Sequence, residues 1–397
     1  MSCTSRLECS GLATMVAGSI IMEDSSVTIT YAGKANLAGI TISSTNSSYF
    51  DIVASEFSLT TSATALNVHG LAPALNAPRL DGNDFYLNVK ATGVVAGVTE
   101  DMTGGSLTET MVDAMAEGHT VYGLVKSITY DNETTLVLDH IFVTGNLTAT
   151  SGPVYGLAEY VTAARVNIDH VLVEVNINTP ASCAGVIDHA HAHTFVVVTH
   201  FSLLGSLSCR SGAAFGTLNS TRNIFRTSMV DVDFAISEPS GLLAAQAEGT
   251  LEFSSFTIHG QMTSSQSADI LVPTVAVGNV TGIVTVWPSL TISGLSNQGF
   301  ANCTEYTEED LQAAFAASIY PFDLPIYEDE WEATASLGRM ATWSTYRSIF
   351  HPLTCTELGR PAPGVYKLSS DIDCAEHPMK FIDETMVRRI SGLLHNS

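Results

Sequence analysis

Apolar and polar residues alternate with a period of two in a segment that returns five times along the chain. It reads IFVTGNL at Ile141–Leu147, VLVEVNI at Val171–Ile177, FSLLGSL at Phe201–Leu207, SMVDVDF at Ser228–Phe234 and FTIHGQM at Phe256–Met262. Ile141, Val143, Gly145 and Leu147 fall on one side, as do Val171, Val173, Val175 and Ile177. Thr144, Asn146, Glu174, Asn176, Asp231 and Asp233 fall on the other. The copies follow at steps of 30, 30, 27 and 28 residues. Strands with this alternation bury one face, and a fixed step of a few tens of residues between them is the mark of a chain coiled into stacked rungs. The pattern predicts an all-β protein, a parallel β-helix (β-solenoid).

A second landmark recurs between the strands, a glycine followed by small apolar residues. It occurs at Gly11, Gly39, Gly70, Gly97, Gly123, Gly156, Gly185, Gly216 and Gly241. A tight corner is expected there, with glycine chosen for its tolerance of positive φ. Together the landmarks imply about ten rungs, a stack about 50 Å long at the spacing of paired strands. The solenoid is expected over residues 1–297. The apolar stretch 11–22 carries a landmark glycine and follows Glu8, so it reads as a first rung and not as the core of a signal peptide.

The pattern changes after residue 297. Residues 298–363 read as a helical and Pro-rich capping segment, in which Thr307 and Asp310 resemble a capping box ahead of Leu311, Ala314 and Phe315. Its acidic run Glu328-Asp329-Glu330-Trp331-Glu332 lacks the alternating ligands and turn glycine of a calcium loop and reads as solvated charge. Residues 364–397 read as a small strand-like C-terminal module.

Composition agrees with a long β-rich core: 45% of residues are hydrophobic and 14% charged. The net charge of −24, from 40 acidic and 16 basic residues, argues against nucleic acid as a partner. No apolar run is long enough to cross a membrane as a helix. Seven cysteines include no CxxC pair, so a zinc site of the usual spacing is not expected. Cys183 and Cys209, nearly one rung apart, are the candidates for a disulfide. Asn46, Asn132, Asn146, Asn219, Asn279 and Asn302 fit the N-glycosylation sequon. Asn146 falls on the outward parity of its strand, and Asn132 and Asn219 fall in polar stretches expected to be turns. These features point to an extracellular or cell-surface, glycosylated chain.

The phrase GVYKLSSDIDCAEHPMKFI at Gly364–Ile382 and RISGLLH at Arg389–His395 resemble the opening of a GLUG-type repeat protein. The glycine landmarks at Gly123 and Gly156 and the strands around Val143 and Leu203 resemble that family's repeat. The resemblance implies a right-handed β-helix in an adhesin-like, secreted or cell-surface protein. The order departs from the family's, since the opening phrase stands at the end of the chain. A displaced opening strand suggests addition to the uncovered first rung of another copy, giving a head-to-tail filament. The alternatives are that residues 364–397 fold back within their own chain or that the sequence is a fragment of a longer repeat protein.

Candidates for chemistry are few. His140, His170 and His200 stand one 30-residue step apart, so stacking places them in a column about 5 Å apart on the outside. A structural aromatic ladder is the first reading. With Asp139, Asp169 and Asp188 nearby, a transition-metal site is the second. His189, His191 and His193 are assigned to an intervening loop. Asp231 and Asp233 have the spacing of a carboxylate pair for glycoside cleavage, but no basic cluster accompanies them to hold an anionic sugar. No cofactor is expected. The sequence therefore reads as a non-catalytic extracellular structural or adhesive protein, partnered by copies of itself or by a cell-surface or glycan ligand. A β-helix enzyme acting on polysaccharide is the alternative.

Overall fold

The computed structural model describes residues 2–3, 8–45, 48–238, 241–263, 271–272, 280–286, 303–305, 351–352 and 366–367. All regular structure among them is strand, without a helix. The strands pair in parallel from one rung to the next, as the alternation predicts: Val143 pairs with both Val112 and Val173, and Val173 with Leu203. One sheet consists of eight short strands, from Cys9–Ser10 and Leu37–Ala38 through Thr120–Tyr122 and Val154–Tyr155 to Ser211–Ala213. Each belongs to one turn, so the β-solenoid makes about eight turns, close to the ten expected.

Inward positions stack into continuous apolar columns. One runs Ile52, Leu80, Leu107, Leu138, Ile168, Val198, Phe225 and Phe253, each in register with the next. All eight are buried. Full burial of such a side chain is worth about 1.5–3 kcal/mol, so a column of this length is a major source of stability. Phe57 and Phe85 extend the same principle, their rings stacked 5.1 Å apart.

Two kinds of corner close each rung. The first is the glycine column Gly11, Gly39, Gly70, Gly97, Gly123, Gly156 and Gly185, and its physical reason differs from the expected one. None of these glycines has positive φ. A Cβ at Gly123 would lie 1.9 Å from the carbonyl oxygen of Gly156 on the next rung and 2.9 Å from Val143 Cγ1. Glycine is required by close approach, not by backbone twist. On the following rung Ala214 takes the place, and the corner shortens from the two residues between Ala184 and Ile187 to the one between Ala213 and Phe215. Gly216, expected as a landmark, lies against Asp188 instead.

The second corner turns the chain at one residue with left-handed φ in eight rungs. Asp24, Ala54, Glu109, His140, His170, His200 and Thr227 have φ between 46° and 52°, and Gly82 has 63°. Non-glycine residues pay about 1–2 kcal/mol for this conformation. In four rungs the next residue offsets it from inside, its hydroxyl donating to the carbonyl two residues back. These bonds are Ser25 to Glu23 (2.9 Å), Ser55 to Val53 (3.0 Å), Thr110 to Thr108 (2.9 Å) and Ser228 to Arg226 (2.7 Å). The three histidine rungs have Ile141, Val171 and Phe201 there, which have no hydroxyl.

By its contacts the chain divides into two units, residues 1–284 with 290–303, and residues 285–289 with 304–397. In the second, His351–Pro352 pairs in parallel with Tyr366–Lys367. Cys303–Glu305 is a strand. The helix expected after it, most of the Pro-rich segment and the strand expected at 389–394 lie outside the described residues.

The glycine column gives a direct test. Gly123→Ala places a methyl group against the next rung's backbone and is expected to destabilise the fold by about 1–3 kcal/mol. Urea denaturation should show this as a lower midpoint, whereas Ala96→Gly, one position before a column glycine, should not reproduce a steric cost.

Candidate functional site

The alternation around the glycine corner fixes where the neighbouring side chains go. Val121 and Val125 are fully buried, so Tyr122 and Lys126 face away from the core. Outward side chains normally diverge at a corner, yet here they converge. The Tyr122 hydroxyl donates to Glu159 Oε2 at 3.0 Å, and Tyr122 and Tyr155 are only 5% and 3% exposed. Such convergence requires a re-entrant bend, so the glycine column backs a trough running along the stack.

Ala96, Tyr122, Tyr155 and Ala184 form the trough's apolar floor, with the two tyrosine rings stacked 5.7 Å apart. Its wall carries Glu100, Lys126, Glu159 and Asp188 on successive rungs, three residues after Gly97, Gly123, Gly156 and Gly185. Polar groups of the floor reach one rung along to the wall. His69 Nε2 lies 2.7 Å from Glu100 Oε1, Tyr122 bonds Glu159, and Tyr155 bonds Asp188. Lys126 Nζ lies 3.9 Å from Glu100 Oε2. At the lip, Tyr160 and His189 stack 4.9 Å apart within 8° of parallel, and His189 Nε2 is 3.4 Å from Asp188 Oδ2.

Hydrogen bonding and burial shift two carboxyl groups in opposite directions. The hydrogen bond from His69 holds Glu100 below the usual carboxylate range, against the effect of burial. Burial raises Asp188 above it, although His189 and the Tyr155 hydroxyl pull the other way. Burial, then the charge of Glu159 or Asp188, lifts Tyr122 and Tyr155 far above the ordinary phenol value. The trough thus sets two carboxyl groups on adjacent rungs, Glu159 and Asp188, about 4.8 Å apart, beside the exposed rings of Tyr160 and His189, a combination able to hydrogen-bond a hydroxylated chain.

The trough was readable only as a charged residue three places after Gly97, Gly123, Gly156 and Gly185, with His69, Tyr122 and Tyr155 just before Gly70, Gly123 and Gly156. Alternation alone does not tell a re-entrant corner from a protruding one.

The other expected residues fall as follows. His140, His170 and His200 do form a column, their rings 4.6 Å apart and within 17° and 20° of parallel. Asp139 and Asp169 join them, but Asp188 does not, because it lies in the trough with Tyr155 and His189. His189, His191 and His193 belong to the strand Ile187–Cys209 and not to a loop. Asp231 and Asp233 have Leu204 and Ser206 as their register partners on the preceding rung, so no carboxylate stacks with them there.

Cys183 and Cys209 are joined by a disulfide with their Cα atoms 6.1 Å apart. Asn132 is in an exposed turn, and Asn146 is exposed but tied into a ladder in which Asn176 Nδ2 donates to its Oδ1 at 3.0 Å. Asn219 lies within the strand Phe215–Ile236 and not in a turn. Asn46, Asn279 and Asn302 lie outside the described residues. Comparison with known proteins gives no match to a family model, a curated protein or a solved structure.

The opposed carboxyl groups predict variants of opposite sign. Asp188 has a raised folded-state pKa, so its ionisation costs stability as pH rises from the unfolded-state value, about 4, through the folded one. Asp188→Asn should therefore be more stable than the wild type at neutral pH, with the difference shrinking at about pH 4. Glu100 has a lowered value, so its contribution is present above the unfolded value and lost as pH falls through the folded one. Glu100→Gln should be less stable at neutral pH and approach the wild type in acid. Urea midpoints at the two pH values check both.

Proposed function

We infer that the protein is an extracellular, non-catalytic structural and adhesive solenoid whose copies join head to tail. One observation carries this reading, the exposed apolar side chains on and beside the strands Ala13–Val16 and Ser19–Glu23. Ile20 and Met22 stand in register with Phe50 and Ile52, which are fully buried, yet both remain half-buried. Outward on the same rung, Ile21, Met15 and Leu12 are 72%, 63% and 55% exposed, more than any other large hydrophobic described. Apolar side chains exposed together support contact with a further chain, and a rung of a second copy has the matching parallel geometry.

The disulfide across Cys183 and Cys209 supports an oxidising, extracellular setting. Exposed sequons at Asn132 and Asn146 fit a glycosylated surface. The GLUG-like phrases add the expectation that the C-terminal segment supplies the joining strand. Nucleic acid and membrane insertion have no part in this reading, and the trough is the surface offered to a glycan.

A polysaccharide-acting enzyme is the second reading, favoured by one observation. Asp188, its carboxyl raised by burial, is one rung from Glu159, and glycoside cleavage uses a pair of carboxyl groups.

Electron microscopy of the full chain beside Met15→Glu/Ile21→Glu and a truncation after Pro363 separates these readings. The account predicts fibres or end-joined particles for the full chain and single particles for both variants. Single particles in all three samples contradict head-to-tail joining, and sugar release that Asp188→Asn abolishes favours the enzyme.

A further inference from the structure

The geometry points to a divalent transition-metal site on the left-handed corner, built from Asp139, His140, Asp169, His170 and His200. It is independent of the head-to-tail reading. Asp139 Oδ1 is 2.8 Å from His140 Nδ1 and 3.4 Å from His170 Nδ1. Asp169 Oδ1 is 3.3 Å from His170 Nδ1 and 3.2 Å from His200 Nδ1. Two triads result, Asp139–His140–His170 and Asp169–His170–His200, each with its ligand atoms within 4.8 Å of one another.

A tetrahedral ion with bonds of about 2.0–2.2 Å holds its ligand atoms roughly 3.3–3.6 Å apart. The Asp–His separations of 3.2–3.4 Å match this, while the other ligand atoms, within 4.8 Å of one another, must be brought together by side-chain rotation. A metal lies in the plane of each imidazole it binds, whereas these rings are stacked nearly parallel. They must fan by rotation about χ2. The histidine side chains are 21–28% exposed, and that movement turns them toward solvent.

Charge points the same way. Histidine binds metal as the neutral imidazole, and in that state two carboxylates face three uncharged rings. One divalent ion balances the pair. The mixed nitrogen and oxygen donor set suits zinc, copper or nickel rather than calcium.

Position within the fold is the second argument. In four other rungs an internal Ser or Thr hydroxyl holds the left-handed corner, and the three histidine rungs have apolar residues at that place. Their corner is held from outside, by Asp and His side chains that a metal can bridge across rungs. The run ends where Thr199 replaces the aspartate and Thr227 the histidine.

Both triads use Nδ1 of His170, so they bind one ion between them, and either outer histidine is dispensable. Zinc titration by calorimetry, with melting temperature as a second readout, tests this on the full chain. His170→Ala is expected to weaken this binding by about a hundredfold or more, since loss of an outer-shell partner alone costs a typical site roughly 10–100-fold. His140→Ala and His200→Ala each keep one triad and should keep most of the affinity and the zinc-dependent rise in melting temperature. Cobalt should show a visible spectrum of low-coordinate N/O ligation in the wild type and lose it in His170→Ala. Should His170→Ala not fold, Asp139→Asn/Asp169→Asn retains all three rings and is expected to show the same loss. Equal zinc binding by the wild type and either of these variants overturns the site and leaves the column as a ring ladder.

Discussion

Everything in this molecule depends on the register of its parallel strands. Backbone hydrogen bonds tie each rung to the next, so whatever one rung places at a column position the next must match or accommodate. Val112, Val143, Val173 and Leu203 satisfy that demand in the core. The same rule brings chemically active side chains together outside it, at a spacing set by the backbone and not by their own attraction.

Corners are where the demand is hardest to meet, and the chain meets it in two ways. At the glycine column two backbones approach so closely that no side chain fits. The surface turns inward there and makes a trough in which Tyr122, Glu159, Tyr155 and Asp188 meet. At the left-handed column a side chain is tolerated, and the rungs differ in how they hold it, by an inner hydroxyl or by an outer Asp–His ladder. Each corner therefore produces a line of polar groups, and these two lines are where function has material to work with.

Much of this was legible in the residues. Alternation identified the strands, the step of about 30 residues identified the stacking, and the 26-residue gap between Cys183 and Cys209 identified the bridge. The histidine column followed from three equal steps. What escaped had physical causes. A period of two says which residues face out, but the sign of curvature at a corner comes from the packing of two faces, so the trough was hidden. For the same reason Asp188 was grouped with the corner histidines, although it belongs to the opposite face of the bend. The glycines were assigned to twist when their cause is contact, which only the next rung reveals. Asn219 and the HAHAH run were given to turns because polar residues often mark them. Here the strand Ile187–Cys209 and its neighbour Phe215–Ile236 continue through with a register shift.

The Cys183–Cys209 bridge depends both on the in-register stack and on the oxidising setting proposed for the chain. The most direct measurement is peptide mapping by mass spectrometry of the chain isolated from its native source without reductant. The account predicts a cross-linked peptide pair containing Cys183 and Cys209. Both cysteines recovered as free thiols would contradict the extracellular setting, and either one bridged to a different cysteine would contradict the register.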